Sequence, residues 1–199
     1  MHNKKLNFIV LVVLFCFMPI TWASEVCDYL PGKVICGKGI VDNISRLGLV
    51  MLNGTTVTGS VNVTGSIIAN KVEINRINCL GKLTLDDSLV TGLVEAIGPA
   101  KISASKLEKT FKIVGTLDVT NTTFFSAIDA TALEITLQNT QCKNIDMHGD
   151  ESRQQKIYLK DHSVVFSDIT FSSGNGLVIL CDGSEVLGKV IGGKIIKLD

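Results

Sequence analysis

Aromatic side chains are sparse in this chain: one tryptophan, two tyrosines and eight phenylalanines. Trp22 falls in the N-terminal leader described below, and Tyr29 and Tyr158 are far apart in sequence. A deep sugar cleft lined with stacked aromatic platforms is therefore not expected. Arginine is equally scarce, at Arg46, Arg76 and Arg153, and acidic and basic residues balance at 19 each. No basic stripe exists to neutralise phosphates, so nucleic-acid binding is not expected. The chain has no Cys-x-x-Cys pair, no Gly-x-Ser-x-Gly elbow and no phosphate-loop glycine pattern. Zinc ribbons, thioredoxin-type redox centres, α/β-hydrolase nucleophiles and nucleotide cradles are thereby set aside. The expectation is a non-enzymatic protein with no cofactor. The longest apolar stretch, Leu6 to Met18 with only Asn7 breaking it, falls short of the ~20 residues a spanning helix needs.

That stretch reads instead as an export signal. Lys4 and Lys5 precede it, no acidic residue occurs before Glu25, and Thr21-Trp22-Ala23 places small residues at the −3 and −1 positions. A basic start, a short apolar core and such a cleavage site define a secretory signal peptide, residues 1–23, cut after Ala23. The remaining chain carries 17 basic against 19 acidic residues, a net charge of −2. It is expected to be periplasmic, on the outer surface or secreted, with no integral membrane span after cleavage. Five cysteines follow the leader: Cys27, Cys36, Cys79, Cys142 and Cys181. Export permits disulfides. Folding Asp28–Ile35 as a hairpin about Pro31-Gly32 puts Cys27 opposite Cys36, within disulfide range. The other three are an odd set, which leaves at least one thiol free and open to a buried or an intermolecular role.

Glycines recur in nearly constant phase at Gly48, Gly65, Gly81, Gly98 and Gly115, with one block a residue shorter than the rest. Apolar residues follow each glycine in phase. Val50 and Leu52, Ile67 and Ala69, Leu83 and Leu85 stand two and four places on. Val57, Ile74, Val90, Leu107 and Phe124 stand nine places on, and a third pair, such as Val94 and Ala96, closes the block. In the shorter block Leu80 takes that closing place. Alternation with period two means strand. Three short strands per ~17-residue block, stacked at the ~4.8 Å strand spacing, make a triangular parallel β-helix. The glycines belong at corners where the backbone bends sharply or takes positive φ. The pattern restarts at Leu133 and Ile135, at Ile157 and Leu159, and at Leu177 and Ile179, giving about eight coils and a rod of ~40 Å. Residues 24–47, with the cysteine hairpin, are expected to cap the N-terminal end, and 48–199 to form the helix proper. The C-terminal run Val190–Asp199 is apolar and β-prone with nothing after it to cap it, so self-association through a solenoid end is expected.

The phase loosens from about residue 136, and a polar insertion lies near 146–154. There Asp146, His148, Asp150 and Glu151 are a candidate for a hard cation, although they lack the regular spacing of a calcium loop. Asp161-His162 is a candidate acid–base pair, disfavoured because neighbours on a strand face opposite ways. Asp86-Asp87 is a candidate carboxylate pair for glycoside hydrolysis.

With its coils laid out, the chain resembles the bactofilin family of polymer-forming β-helix proteins, with an added signal peptide. The resemblance rests on the glycine-anchored period and on stretches such as Gly54-Thr-Thr-Val-Thr-Gly-Ser-Val-Asn-Val-Thr-Gly-Ser-Ile67. It covers residues 45–135 closely and the rest loosely. It implies a right-handed coil and a self-assembling structural or scaffold module of the bacterial cell envelope. An adhesin-like or ligand-binding surface module and a polysaccharide-active enzyme are the alternatives.

Overall fold

In a computed structural model, residues 26–198 are described; the expected leader at 1–23 lies outside them. Every regular element in this range is a strand, 24 in all. Apart from the first, Cys27–Leu30, they stack in parallel ladders on three faces, a triangular β-solenoid. On the first face Val34, Val50, Ile67, Leu83, Ala100 and Leu117 lie one above the next in register. The stack continues through Ile135, Ile157, Val178 and Ile195, ten levels in total. The second face carries Val57, Ile74, Val90, Leu107, Phe124 and Cys142 in the same way. The third carries Ile44, Val61, Ile77, Val94, Phe111 and Ile128.

Down to the last coil, where Ile195 is about half exposed, the inward apolar side chains of these ladders are almost completely buried, so the core is one continuous column. Its width is kept constant by exchanging volume between levels. Phe111 and Phe124 meet edge to face at 5.8 Å between ring centres. Beside them, Ile113 sits between Ala96 and Ala130 on its ladder, and Leu117 follows Ala100. Large and small residues thus interdigitate at interior packing density.

Three details depart from the sequence-based expectation. The stack has about ten turns, not eight, because Lys33–Cys36, Gly39–Val41 and Ile44–Leu47 already form the first coil; only the antiparallel strand Cys27–Leu30 lies above it. In the shorter block the inward pair is Ile77 and Cys79, and Leu80 points out to solvent. Near the C-terminus Val178 and Leu180, not Leu177 and Ile179, continue the inward ladders of Ile157 and Leu159, and the exposed Leu133 yields its place to Ile135. In Leu177–Leu180 the apolar run offers two alternations and pairing with the previous coil selects one, whereas Leu133 is displaced from Ile135 by two residues along the same alternation.

Two corners solve the chain reversal differently. Between the third and first faces Gly48, Gly65, Gly81, Gly98 and Gly115 have φ from +115° to +145°. Between the first and second faces φ is near +50°, and Lys71, Asp87, Ala104, Asn121 and Asn139 occupy it. Directly after this second corner runs a buried hydroxyl ladder. The Ser105 hydroxyl donates to the Ser103 carbonyl at 2.6 Å and accepts from the Ser88 N–H at 3.1 Å. The Ser105 N–H in turn donates to the Thr122 hydroxyl at 3.3 Å. Side-chain oxygens here replace the interstrand carbonyls that the bend carries out of reach. Ser105→Ala leaves the buried Ser88 N–H and Ser103 carbonyl without that partner. A loss of about 1–3 kcal/mol is expected in denaturant unfolding, with Ser105→Thr nearly neutral because Thr122 fills the same role.

Candidate functional site

The irregular half begins where the glycine ladder stops. After Gly115 the same corner is crossed by Ala132-Leu133, then by the loop of residues 148–154, then by Ser172–Asn175. The first-face spacing is regular down to Leu117, lengthens slightly to Ile135 and then markedly to Ile157 and to Val178. It returns to its earlier value between Val178 and Ile195. Insertions therefore leave the column intact and bulge mainly from this corner, with one extra residue at the Asp161-His162 corner between the first and second faces.

Gln155 holds this corner together. Its side chain is 2% exposed and lies on the inward side. The amide nitrogen donates to the carbonyls of Ala132 at 2.8 Å and His148 at 3.0 Å. The amide oxygen accepts from the Ser173 hydroxyl at 3.1 Å. One side chain thus joins three successive coils. Below it, Gly176 and Gly193 continue the Gln155 position and leave room for the ring of Phe171, which fills the end of the core.

The insertion residues do not converge as a cation site. Asp146 accepts from the Asn144 side-chain amide at 2.8 Å. His148 Nε2 turns to Asp129 Oδ1 at 2.8 Å, one coil away. Asp150 accepts from the hydroxyl and, at 2.9 Å, from the N–H of Ser152. The hydroxyl bond first, and then the N–H, hold its carboxyl below the usual range. Glu151 is exposed. Among the described residues no three His, Cys, Asp or Glu side chains come together to hold a metal. The four candidate residues thus stay apart: Asp146 and Asp150 each have a local donor, and His148 is turned along the stack to Asp129. Asp129 carries no local sign of this pairing in the sequence, because it lies a full coil upstream and meets His148 only through stacking.

The other candidates are corner residues. Asp161 and His162 both have φ above +50° and form the turn itself; Asp161 accepts from Gln138, while the His162 N–H donates to the Asp182 carbonyl at 2.9 Å. Asp86 accepts from Asn70 at 2.7 Å and Ser103 at 2.6 Å, one partner on each adjoining coil, while Asp87 occupies the left-handed corner. Neither pair is arranged for proton transfer. Cys27 and Cys36 form a disulfide with Cα atoms 4.0 Å apart, on the hairpin whose turn residue Gly32 has φ +71°. Cys79, Cys142 and Cys181 are free. Burial raises the thiol pKa of Cys79 and pushes that of Cys142 up to about 12, so both act as small core hydrophobes.

The two ends of the solenoid differ. At the N-terminal end the strand Cys27–Leu30 covers the first coil, Val26 packs against Gly39, and the Arg46 guanidinium stands 4.6 Å over the Tyr29 ring. At the C-terminal end, among the described residues, Gly193–Leu198 pairs with Gly176–Cys181 on one side only. Ile195, Ile196 and Leu198 are about half exposed there, and Leu187 and Ile191 add to them. Lys197 takes the inward position beneath Leu180. No helix among the described residues is long and apolar enough to cross a membrane. Compared with known proteins, the chain matches no family model, no curated sequence and no solved structure. The class that stands is a β-solenoid with a disulfide-locked N-terminal hairpin.

Proposed function

We propose that this chain is a non-enzymatic structural module of the bacterial cell envelope that associates through the C-terminal end of its solenoid. The observation that carries the reading is the contrast between the ends: a disulfide hairpin covers one, and the other leaves a strand edge unpaired among half-exposed isoleucines. Such an edge is a template for another strand. The export signal read from residues 1–23, the disulfide and the resemblance to polymer-forming bactofilins support the same reading. Lys197 limits the partner, which must offer a carbonyl or carboxylate to the ammonium group that stands where the core would otherwise continue.

Sedimentation analysis of the purified protein over a hundredfold concentration range tests it. Concentration-dependent association is expected, weakened at least tenfold by Ile196→Asp, which faces outward on the last strand and leaves the core untouched. A protein that stays monomeric throughout the range overturns the assembly reading.

A further inference from the structure

Four surface recesses line up along one flank of the solenoid. The first, of about 430 Å³, lies under the N-terminal hairpin and shares Ser45 and Arg46 with a second of about 140 Å³. The second shares Asn78 with a third of about 320 Å³, and the third shares Thr131 with a fourth of about 330 Å³ beside the 148–154 loop. Together they form one shallow groove parallel to the solenoid axis. It runs from the Leu47 level to the His148 level, six coil steps or ~29 Å at the strand spacing.

The groove has two registered linings. The outward positions of the third face stack Asn62, Asn78, Glu95, Lys112 and Asp129 in one polar ladder. Two residues on, Thr64, Leu80, Ile97, Val114 and Thr131 form an apolar ladder along the glycine corner. Leu80, Ile97 and Val114 are about half exposed, and nothing in the fold uses their side chains. Both carboxylates of the polar ladder already have partners: Lys112 Nζ lies 3.9 Å from Glu95 Oε1, and His148 Nε2 lies 2.8 Å from Asp129 Oδ1. The groove thus offers hydrogen-bond donors and acceptors, and the one lysine of the ladder is already engaged by a carboxylate.

We propose that this flank binds a neutral linear polysaccharide, extended along the solenoid axis. An apolar residue beside a polar one recurs at three consecutive coils, Asn78 with Leu80, Glu95 with Ile97 and Lys112 with Val114, so a matching ligand repeats at a similar interval. A pyranose ring in an extended β-1,4-linked chain advances by about one strand spacing, so consecutive rings meet consecutive coils. Ring hydroxyls face the Asn, Glu, Lys and Asp ladder, and the C–H faces of the rings lie on Leu80, Ile97 and Val114. Without an aromatic platform each ring contributes little, so affinity accrues with chain length. Paired charges exclude a polyuronate as the preferred ligand, because a carboxylate on each ring would face Glu95 and Asp129 unmatched. The groove lies on the side of the rod, away from the end at which association is proposed.

Calorimetry or fluorescence titration of the purified protein with β-1,4-linked N-acetylglucosamine hexamer, cellohexaose and a galacturonate hexamer tests it. Binding of at least one neutral hexamer is expected, at least tenfold tighter than its trimer, with the galacturonate hexamer at least tenfold weaker. Ile97→Ser and Asn78→Ala, both at exposed positions, are expected to weaken binding at least tenfold with thermal unfolding unchanged. Lys106→Ala on another face is expected to have no effect. Absence of binding to both neutral hexamers, a preference for the galacturonate, or equal binding by the groove variants overturns the proposal.

Discussion

Gly98→Ala is expected to cost about 3–5 kcal/mol in denaturant unfolding. Two independent effects add. Gly98 has φ +129°, a conformation that strains any side chain by about 1–3 kcal/mol. A Cβ at this position would also overlap the carbonyl oxygen and carbon of Gly81 on the preceding coil. That obstacle is backbone, held in register by the first-face and third-face ladders, so the coils must separate locally, an overpacking cost of about 1–3 kcal/mol. Every glycine of the ladder stands in the same relation to the one before it, beginning with Gly48 over Gly32. The other corner supplies the control. Gly54 also has positive φ, +68°, but its added Cβ would meet only ordinary contacts with Lys38, and the positions stacked on it hold Lys71, Asp87 and Ala104. Gly54→Asn is therefore expected to change stability by about 1 kcal/mol or less. If Gly98→Ala and Gly54→Asn cost the same, the distinction between the corners is wrong.

This contrast explains why the fold is so legible in one half of the chain. A glycine required at every coil prints its period directly on the sequence, and the inward alternation after each one is forced by the same stacking. The φ near +50° of the other corner tolerates Asn, Asp, Lys and Ala, so that corner leaves no single-residue signature. Where the glycine ladder ends, the period stretches, most of all between Ile135 and Ile157, and the phase must be read from the apolar run alone. In Gly176–Cys181 that run is Leu-Val-Ile-Leu, which fits either alternation, and only pairing with Ile157 and Leu159 chooses Val178 and Leu180. The first coil is hidden for another reason: the cysteine hairpin suggests a separate cap, yet Cys36 is both a disulfide partner and an inward core residue stacked on Leu52.

The insertion is legible as an interruption but not as a structure. Asp146 and Asp150 are hydrogen-bonded locally, Glu151 is exposed, and the residue that organises the insertion is an uncharged glutamine. Nothing in the neighbourhood of Gln155 marks it, because its three partners lie 23, 7 and 18 residues away in sequence. A single polar residue at an otherwise apolar inward position is the trace it leaves.

Replacing that residue by leucine, Gln155→Leu, is expected to cost about 3–5 kcal/mol, although the substitution is close to isosteric and makes the position apolar like its neighbours. The side chain is 2% exposed, so water cannot take the place of the amide. Its removal takes the amide donor from the Ala132 and His148 carbonyls and the amide acceptor from the Ser173 hydroxyl. A buried polar group left without its partner costs about 1–3 kcal/mol, and the leucine regains part of that sum through burial of its own methyls. The loss should be concentrated at the corner it joins. Hydrogen exchange is expected to accelerate first in Ile145–Met147, Gln155–Lys160 and Ile169–Phe171, the strands flanking that corner, and to leave Thr55–Asn70 unchanged because coils in a solenoid communicate with their neighbours only. Gln155→Glu separates the roles within the amide. The carboxylate keeps the acceptor for Ser173 but brings a negative charge against two carbonyl oxygens, so it should destabilise the protein at neutral pH. Lowering the pH restores a donor, and the deficit should shrink as the new carboxyl protonates. A Gln155→Glu protein whose stability relative to the unaltered chain is the same at pH 4 and pH 8 would show that the two carbonyl bonds do not hold the corner.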